Sequence, residues 1–282
     1  MSLPTQLAQP AQKPALMRRA RRMSVLIFEM AGRSYKLRFA GSYLGILWSI
    51  LGPLLNALVT ATIFFLLMRG RQGGIYAKIP FLVFFFAGFS IWGLVSEIVS
   101  RSTTIVLENA ALITKISFPT SILPMVASAC SFINYAVYLG IACILILIYG
   151  VRLSEHLYLL PVYFALAAIL ATGAGYFLAS IGVFVRDTAQ AVPVVLNILY
   201  YMSPIMYAPI VLRQGAPRWV QAVLLDWNPF SRIIEGYRTS FIDVGAPIDM
   251  GGLAYLAVLS GCVFLLGYLC YRALKPSFAD VL

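Results

Sequence analysis

Charge is scarce in this sequence. Its 282 residues include 21 Lys/Arg, only 10 Asp/Glu and a single histidine, whereas a soluble domain devotes about a quarter of its residues to charge. No catalytic constellation can be assembled from so few groups. A Ser-His-Asp or Cys-His arrangement would have to be built on His156, which sits beside Glu155 in a short loop and reads as solvated. No G-x-x-x-x-G-K-[ST] stretch is available to cradle a nucleotide, and no acidic pair suggests metal-assisted transfer to a lipid phosphate. The four cysteines, Cys130, Cys143, Cys262 and Cys270, lie inside apolar runs without CxxC spacing. They read as small buried hydrophobes rather than disulfides or metal ligands. None of the acids falls mid-way along an apolar run; Glu97 and Asp187 fall near span ends, where water reaches them. That counts against an ion-coupled transporter, which invests in intramembrane charge.

Apolar residues are what the chain has in abundance. They make up 61% of it, with a mean hydropathy of +0.88. They come in runs of about 20 residues or more, enough to cross a hydrocarbon core of roughly 30 Å. A soluble enzyme and a disordered chain are both excluded. The expected fold is an all-α membrane protein with six spans, at about 41–68, 80–99, 120–149, 158–185, 190–212 and 253–273. Several are long enough to require tilt or kinks. Gly52-Pro53 in the first span and Pro193, Pro204 and Pro209 in the fifth are the expected kink sites. In the fourth, Ala167, Ala171, Gly175 and Ala179 form a strip of small residues that lets helix backbones approach closely. The net charge of +11 would suggest nucleic acid in a soluble protein. Here no nucleic-acid partner is expected, because basic loops hold to an anionic membrane leaflet.

Residues 1–22 form a polar tail ending in Arg18-Arg19-Ala20-Arg21-Arg22, and 23–282 the membrane domain. No apolar region follows the basic run at once, as a signal peptide would require. Segment 24–39 is amphipathic instead. Leu26, Ile27, Met30, Ser34 and Leu37 share one side, Glu29, Arg33 and Lys36 another, and Phe28, Tyr35 and Phe39 form an aromatic stripe. Such a helix lies along a membrane surface. Eight of the 21 basic residues precede residue 40, and the flank of the first span usually dominates orientation, so both termini are expected in the cytoplasm. Two connections stand out. Within 100–119, residues 107–116 can form a short cytoplasmic helix closed by Pro119. The outer connection 213–250 holds two short helices within about 217–242, the second opened by an Asn228 cap and Pro229 at the first helical position. Phe230, Ile233, Ile234, Tyr237 and Phe241 then give that second helix an apolar stripe.

The spans also carry aromatic patterning. Phe81, Phe85, Phe89 and Trp92 recur at i, i+4, i+8 and i+11 in the second, and Asn197, Tyr200, Pro204 and Tyr207 at i, i+3, i+7 and i+10 in the fifth, with Tyr201 and Ser203 beside them. Two readings stay open: lipid-facing Phe with packed Tyr, or the wall of a polar pathway. Tyr hydroxyls and Asn197 favour protein or a pathway, because an unpaired polar group in lipid costs several kcal/mol. A wall of Tyr and Phe suits sugar rings, which stack their C–H faces on aromatics while their hydroxyls take hydrogen bonds.

Four stretches carry a resemblance. They are Gly41-Ser-Tyr-Leu-Gly-Ile-Leu-Trp-Ser-Ile-Leu-Gly-Pro53, Arg186-Asp187, Tyr201-Met-Ser-Pro-Ile-Met-Tyr207 and Trp227-Asn-Pro-Phe-Ser-Arg-Ile-Ile-Glu-Gly-Tyr-Arg238. With the six-span layout they resemble, over about 20–282, the transmembrane subunits of ABC-2-type exporters, in particular those exporting O-antigen, capsule and teichoic-acid polysaccharides. The resemblance implies a permease rather than an enzyme. It further implies a homodimer in the bacterial cytoplasmic membrane, two separate ATPase subunits that bind ATP and Mg, and no cofactor in this chain. The substrate implied is a polymer on an undecaprenyl-type lipid; a drug, lipid or small glycolipid is the alternative. A transferase acting on polyprenyl phosphate would need clustered acids or histidines that the sequence lacks. By the same resemblance, Glu108, Asn109, Leu112, Ile113, Lys115 and Phe118 form the coupling helix that docks on the ATPase. Residues 24–39 form the interface helix, and Trp227, Asn228, Pro229, Glu235 and Arg238 belong to the outer gate. The path is implied to run along spans one, two and five, which brings in Phe81, Phe85, Phe89, Trp92, Asn197, Tyr200, Tyr201 and Tyr207.

Overall fold

Helix accounts for nearly all of residues 13–38, 41–45, 47–67, 73–115 and 119–282, which the computed structural model describes. No strand occurs among them; one antiparallel bridge pairs Leu153 with Ile242. Four helical stretches are long and apolar enough to cross a membrane: Phe81–Glu108, Thr120–Tyr149, Leu157–Phe184 and Met250–Ser277. The chain begins with α1 (Lys13–Arg38) and α2 (Leu47–Leu67). The hub follows as α3 (Phe81–Glu108). Its most apolar stretch is 78% buried inside the protein, against 17% for the last long helix, so α3 is surrounded by other helices and the last one is largely uncovered by the rest of the chain.

After α3 come the short α4 (Ala110–Lys115), α5 (Leu123–Tyr149) and α6 (Leu160–Phe184). The small-residue strip of α6 packs as its composition predicts: Ala167, Ala171 and Ala179 are buried, and a Cβ on Gly175 would lie 2.5 Å from Ser102 Oγ of α3. On another side of α6, Gly173 opens the way for α11 (Met250–Leu274), since a Cβ there would meet the backbone of Phe264.

The expected fifth span is not one helix. Helix α7 runs only over Thr188–Met202, 15 residues, or about 22 Å at 1.5 Å per residue. Ser203 is extended (φ −94°, ψ 149°), as a residue before proline is driven to be, and Pro209 starts the separate α8 (Pro209–Gly215). Pro204 and Pro209 thus end and begin helices instead of kinking one, whereas Pro193 sits inside α7. The connection continues through α9 (Arg218–Gln221) and a wide turn over Ala222–Asp226 to α10 (Pro229–Phe241). Asn228 Oδ1 accepts from the Phe230 N–H at 3.0 Å, and Ile233, Ile234, Tyr237 and Phe241 of the expected stripe are buried.

Two further boundaries differ from expectation. The second span does not stop at 99: α3 carries on to Glu108, because Ser102 and Thr103 return their hydroxyls to the carbonyls of Ile98 and Val99 and so tolerate burial. Glu97 therefore lies within a 28-residue helix rather than at its end. At the N-terminus the basic run 18–22 belongs to the same helix as the amphipathic segment. There the aromatic stripe splits. Ala31 is buried against Val126, Ala129 and Cys130 of α5, Tyr35 is buried with its hydroxyl on Asn134 of the same helix, and Phe28 is exposed. The protein-facing side is the i, i+4, i+8 series Ile27, Ala31 and Tyr35, and the small Ala31 lets Cys130 Sγ approach its carbonyl to 3.4 Å. Phe39 lies outside the described residues.

Candidate functional site

Helices α2, α3, α5 and α7 enclose a cleft of about 540 Å³. Helix α3 supplies most of its wall through Phe89, Trp92, Gly93, Ser96, Glu97, Ser100 and Arg101. These residues recur every three or four positions, so they occupy one face of the helix. Opposite them stand Trp48, Gly52, Ala57 and Thr60 of α2, Asn134 and Tyr138 of α5, and Pro193, Leu196, Asn197, Tyr200 and Tyr201 of α7. The rings touch edge to face: Phe89 on Tyr138 at 5.2 Å, Phe89 on Tyr200 at 6.4 Å and Tyr200 on Tyr201 at 5.2 Å between centroids. Such contacts hold aromatic pairs in preferred orientations.

Five of the eight residues expected along a path thus meet in one cleft: Phe89, Trp92, Asn197, Tyr200 and Tyr201. The other three do not. Phe81 and Phe85 stack on one another at 6.2 Å and are buried in the main core. Tyr207 lies beyond the break in α7, where its hydroxyl donates to the Met202 carbonyl at 2.9 Å. The helical spacing that joined it to Tyr200 fails because Ser203-Pro204 ends the helix.

Three cleft residues that the sequence reading did not place on a path form a polar cluster at its side. Asn134 Nδ2 lies 2.8 Å from both carboxylate oxygens of Glu97, and Arg101 Nε donates to Oε1 at 3.1 Å. Asn134 Oδ1 in turn accepts from the Tyr35 hydroxyl at 3.0 Å, tying α1 to the cluster. The signal available in the sequence was that Ser96, Glu97, Ser100 and Arg101 continue the face begun by Phe89 and Trp92. The link to Tyr35 and Asn134 had none.

The residues expected at an outer gate form a different construction. Arg238 is fully buried, and its guanidinium donates to the carbonyls of Phe84 (3.1 Å), Pro204 (3.0 Å) and Ile205 (3.2 Å) and to Glu235 (3.0 Å). It lies 3.7 Å over the Phe84 ring. Gly88 permits this approach, since a Cβ there would meet Arg238 Nη2. The Tyr76 hydroxyl completes the cluster by donating to Glu235 at 2.6 Å. Burial first, and the Glu235 carboxylate second, push the Tyr76 phenol well above its usual value, so it stays a donor. Asn228 caps α10 and Pro229 opens it, whereas Trp227 is exposed and offers its carbonyl to Tyr255. Beside this cluster a pocket of about 290 Å³ carries Arg213, Asp226, Arg232 and Asp249, joined in salt bridges of 2.6 to 3.9 Å.

The residues expected to couple to an ATPase sit at the far end of α3. Glu108 closes that helix and accepts from Thr104 at 2.7 Å. Asn109 is the break, its side chain capping the Ile105 carbonyl at 2.8 Å. Leu112, Ile113 and Lys115 lie on α4, with Ile113 packed against the cluster of Ile105, Val106, Tyr271 and Phe278. Phe118 lies outside the described residues.

Apolar helices long enough to span, packed around a cleft with mixed aromatic and polar walls, define a multi-pass membrane protein of the transporter kind. The sequence pattern of ABC-2 type transporters matches residues 25–242, and the chain belongs to that family. It is similar to the O-antigen export system permease protein RfbA of Myxococcus xanthus, 26% identical over 255 residues that cover 90% of this chain and 94% of that protein. RfbA of Klebsiella pneumoniae is 24% identical over 259 residues, 91% of this chain and 95% of that protein. The polysialic acid transport protein KpsM of Escherichia coli is 26% identical over 245 residues, 85% and 90% of the two chains.

Proposed function

We propose that the chain is the membrane subunit of an ATP-driven exporter that carries a lipid-linked, O-antigen-like polysaccharide from the cytoplasm across the bacterial inner membrane. The observation that carries this reading is the cleft: five expected path residues gathered with further rings and hydroxyls into one wall. Rings suit the C–H faces of sugars, while Asn197 and the Tyr201 hydroxyl suit their hydroxyls. Such a wall suits a long chain that must slide, because no single position binds it tightly. The names of the similar proteins, O-antigen export permease and polysialic acid transport protein, support the same class of cargo.

In this reading residues 23–282 form one transmembrane unit with six spans, both termini are cytoplasmic, and α1 lies along the inner membrane surface as an interface helix. Two copies meet with the path between them. Two ATPase subunits, binding ATP and Mg, dock on α4 through the region 108–118. Nucleotide-driven closure of those subunits then tilts α3, which runs from the docking end to the cleft wall. The re-entrant helices around 217–242 act as the outer gate, and the lipid end of an undecaprenyl-type carrier stays in the bilayer.

Deleting the gene and following lipid-linked glycan on both sides of the membrane tests the proposal. Polymer that accumulates inside while surface glycan vanishes is the expected result. Unchanged surface glycan with altered drug or lipid efflux would replace polysaccharide by a smaller amphiphile.

A further inference from the structure

The pocket beside the Arg238 cluster holds two buried hydroxyls that the protein itself does not use. Tyr163 of α6 and Ser231 of α10 line it, and each residue is only 3% exposed. Neither side chain makes a hydrogen bond among the described residues, whereas Thr239 and Ser240 beside them bond the carbonyls of Glu235 and Gly236. Among those residues, the side-chain atoms left both unpaired and sealed from solvent belong to Thr120 and Ser260. The Tyr163 and Ser231 hydroxyls are therefore not sealed, and they open on the pocket. Tyr163 owes its place to Gly236, where a Cβ would meet the ring and stand 2.5 Å from the hydroxyl. A hydroxyl withdrawn from bulk water without a partner costs about 1–3 kcal/mol. Two of them on one small wall call for a ligand.

At about 290 Å³ the pocket lies at the small end of ligand sites, which run from about 300 to 1,000 Å³. That is room for one ring, not for a chain. Its walls combine Leu159, Leu225 and Ile248 with the paired charges of Arg232 and Asp249. A sugar residue presents the matching mixture: C–H faces for apolar side chains, and hydroxyls that both donate and accept, as those of Tyr163 and Ser231 do. The pocket sits where α6 and α11 begin, at the end of the bundle opposite α4. In the orientation proposed above, that end is the outer one. Helix α10 divides it from the cleft: Phe230 meets Trp92 of the cleft wall edge to face at 5.5 Å, and the next residue is Ser231. We propose that this pocket is a sugar-binding site on the exit side, holding one residue of the glycan after it has crossed. The inference rests on the polysaccharide reading above and adds to it a place where the emerging chain is held.

The test uses the full chain in lipid nanodiscs and reads saturation-transfer NMR of the methyl glycosides of glucose, galactose, mannose and rhamnose. At least one of them is expected to bind the unaltered chain. Tyr163→Phe and Ser231→Ala should each weaken that binding about threefold to tenfold, the worth of one hydrogen bond. Neither should lower the thermal unfolding midpoint, because neither hydroxyl bonds another part of the chain. Tyr207→Phe should do the reverse, lowering the midpoint and sparing the binding, since its hydroxyl holds the Met202 carbonyl. Binding of none of the four glycosides would overturn the site. Binding that both pocket variants leave unchanged would overturn it too, by placing the sugar elsewhere on the chain. Neither of those results touches the polysaccharide reading, which the gene deletion decides separately. Weakened binding in the variants, with surface glycan unchanged on deletion, would keep the pocket as a sugar site and end the export reading. Ser231→Ala carries the test alone should Tyr163→Phe fail to fold.

Discussion

The α8–α10 hairpin and the cleft draw on the same helix, yet they spend their polar groups in opposite ways. Phe84 and Gly88 of α3 serve the hairpin, giving Arg238 a carbonyl, a ring face and room. Phe89 and Trp92, a turn further on, serve the cleft. Around Arg238 each of the three guanidinium nitrogens finds a protein partner, so the hairpin is fastened to α3 and to the break after α7 at once. Around Arg101 only Nε has a partner among the described residues, and Asn197 and Tyr201 are exposed. A buried cation with all its partners is an anchor, because any movement strands a charge. One side of α3 is thus fastened by its polar contacts, and the neighbouring side lines the cleft that we propose as the path.

The sharpest way to break that contrast is Arg238→Ala. It leaves three backbone carbonyls and Glu235 without their donor, and removing one partner of a buried charged pair costs about 3–5 kcal/mol. The expected outcome is loss of monodisperse protein in detergent, or a thermal midpoint far below that of the unaltered chain. Arg238→Lys should fare little better, since a single ammonium cannot reach carbonyls on both α3 and the 204–205 segment. Normal stability of both variants would show the hairpin is held by its apolar stripe alone.

A smaller effect sharpens the same point. In Gly88→Ala the new methyl group meets Arg238 Nη2 and lies 3.1 Å from Ile234 Cγ2. Overpacking of this kind costs about 1–3 kcal/mol. Gly140→Ala is the control: it lies in α5 with nothing within 4 Å of the added carbon, so it should gain up to about 1 kcal/mol from helix propensity. Urea or thermal unfolding in detergent reads both, and a Gly88→Ala midpoint equal to that of Gly140→Ala would remove the claim of close approach.

Periodicity and caps reach some of this architecture and miss the rest. The start of α10 at Asn228-Pro229 and its buried stripe were readable, because a cap, a proline and an i, i+3, i+4 pattern all act within one turn. The small strip on α6 was readable for the same reason. The end of α7 was lost because apolar character continues through Ser203–Tyr207, and composition does not distinguish a helix from an extended stretch of equal hydropathy. Tyr207 fell out of the cleft with it. Glu97 was misplaced because the run of apolar residues stops near 99, whereas the helix continues on Ser and Thr that satisfy their hydroxyls internally. The role of Arg238 depends on carbonyls more than 30 and 150 residues away in sequence, and the Tyr35–Asn134 bond spans 99. Pairings at such distances leave no local pattern.

The smallest expected change in stability belongs to the cleft, and it carries the largest expected change in transport. Tyr201 is 55% exposed, and its ring meets only the edge of Tyr200 among the described aromatics. Tyr201→Ala should therefore shift unfolding by no more than about 0.5 kcal/mol, as surface substitutions do. Export of surface glycan should nevertheless fall several-fold, by roughly the 1–3 kcal/mol that one aromatic stacking platform contributes in other polymer-binding grooves. Tyr207→Phe makes the matching comparison from outside the cleft. It removes the hydroxyl bonded to Met202 and costs about 0.5–1.5 kcal/mol, but export should persist, because that ring lines no part of the cleft wall. Stability and transport should thus respond in opposite order to two tyrosines six residues apart. If Tyr207→Phe were the variant that stopped export while Tyr201→Ala left it intact, the path would have to run along the far side of the α7 break.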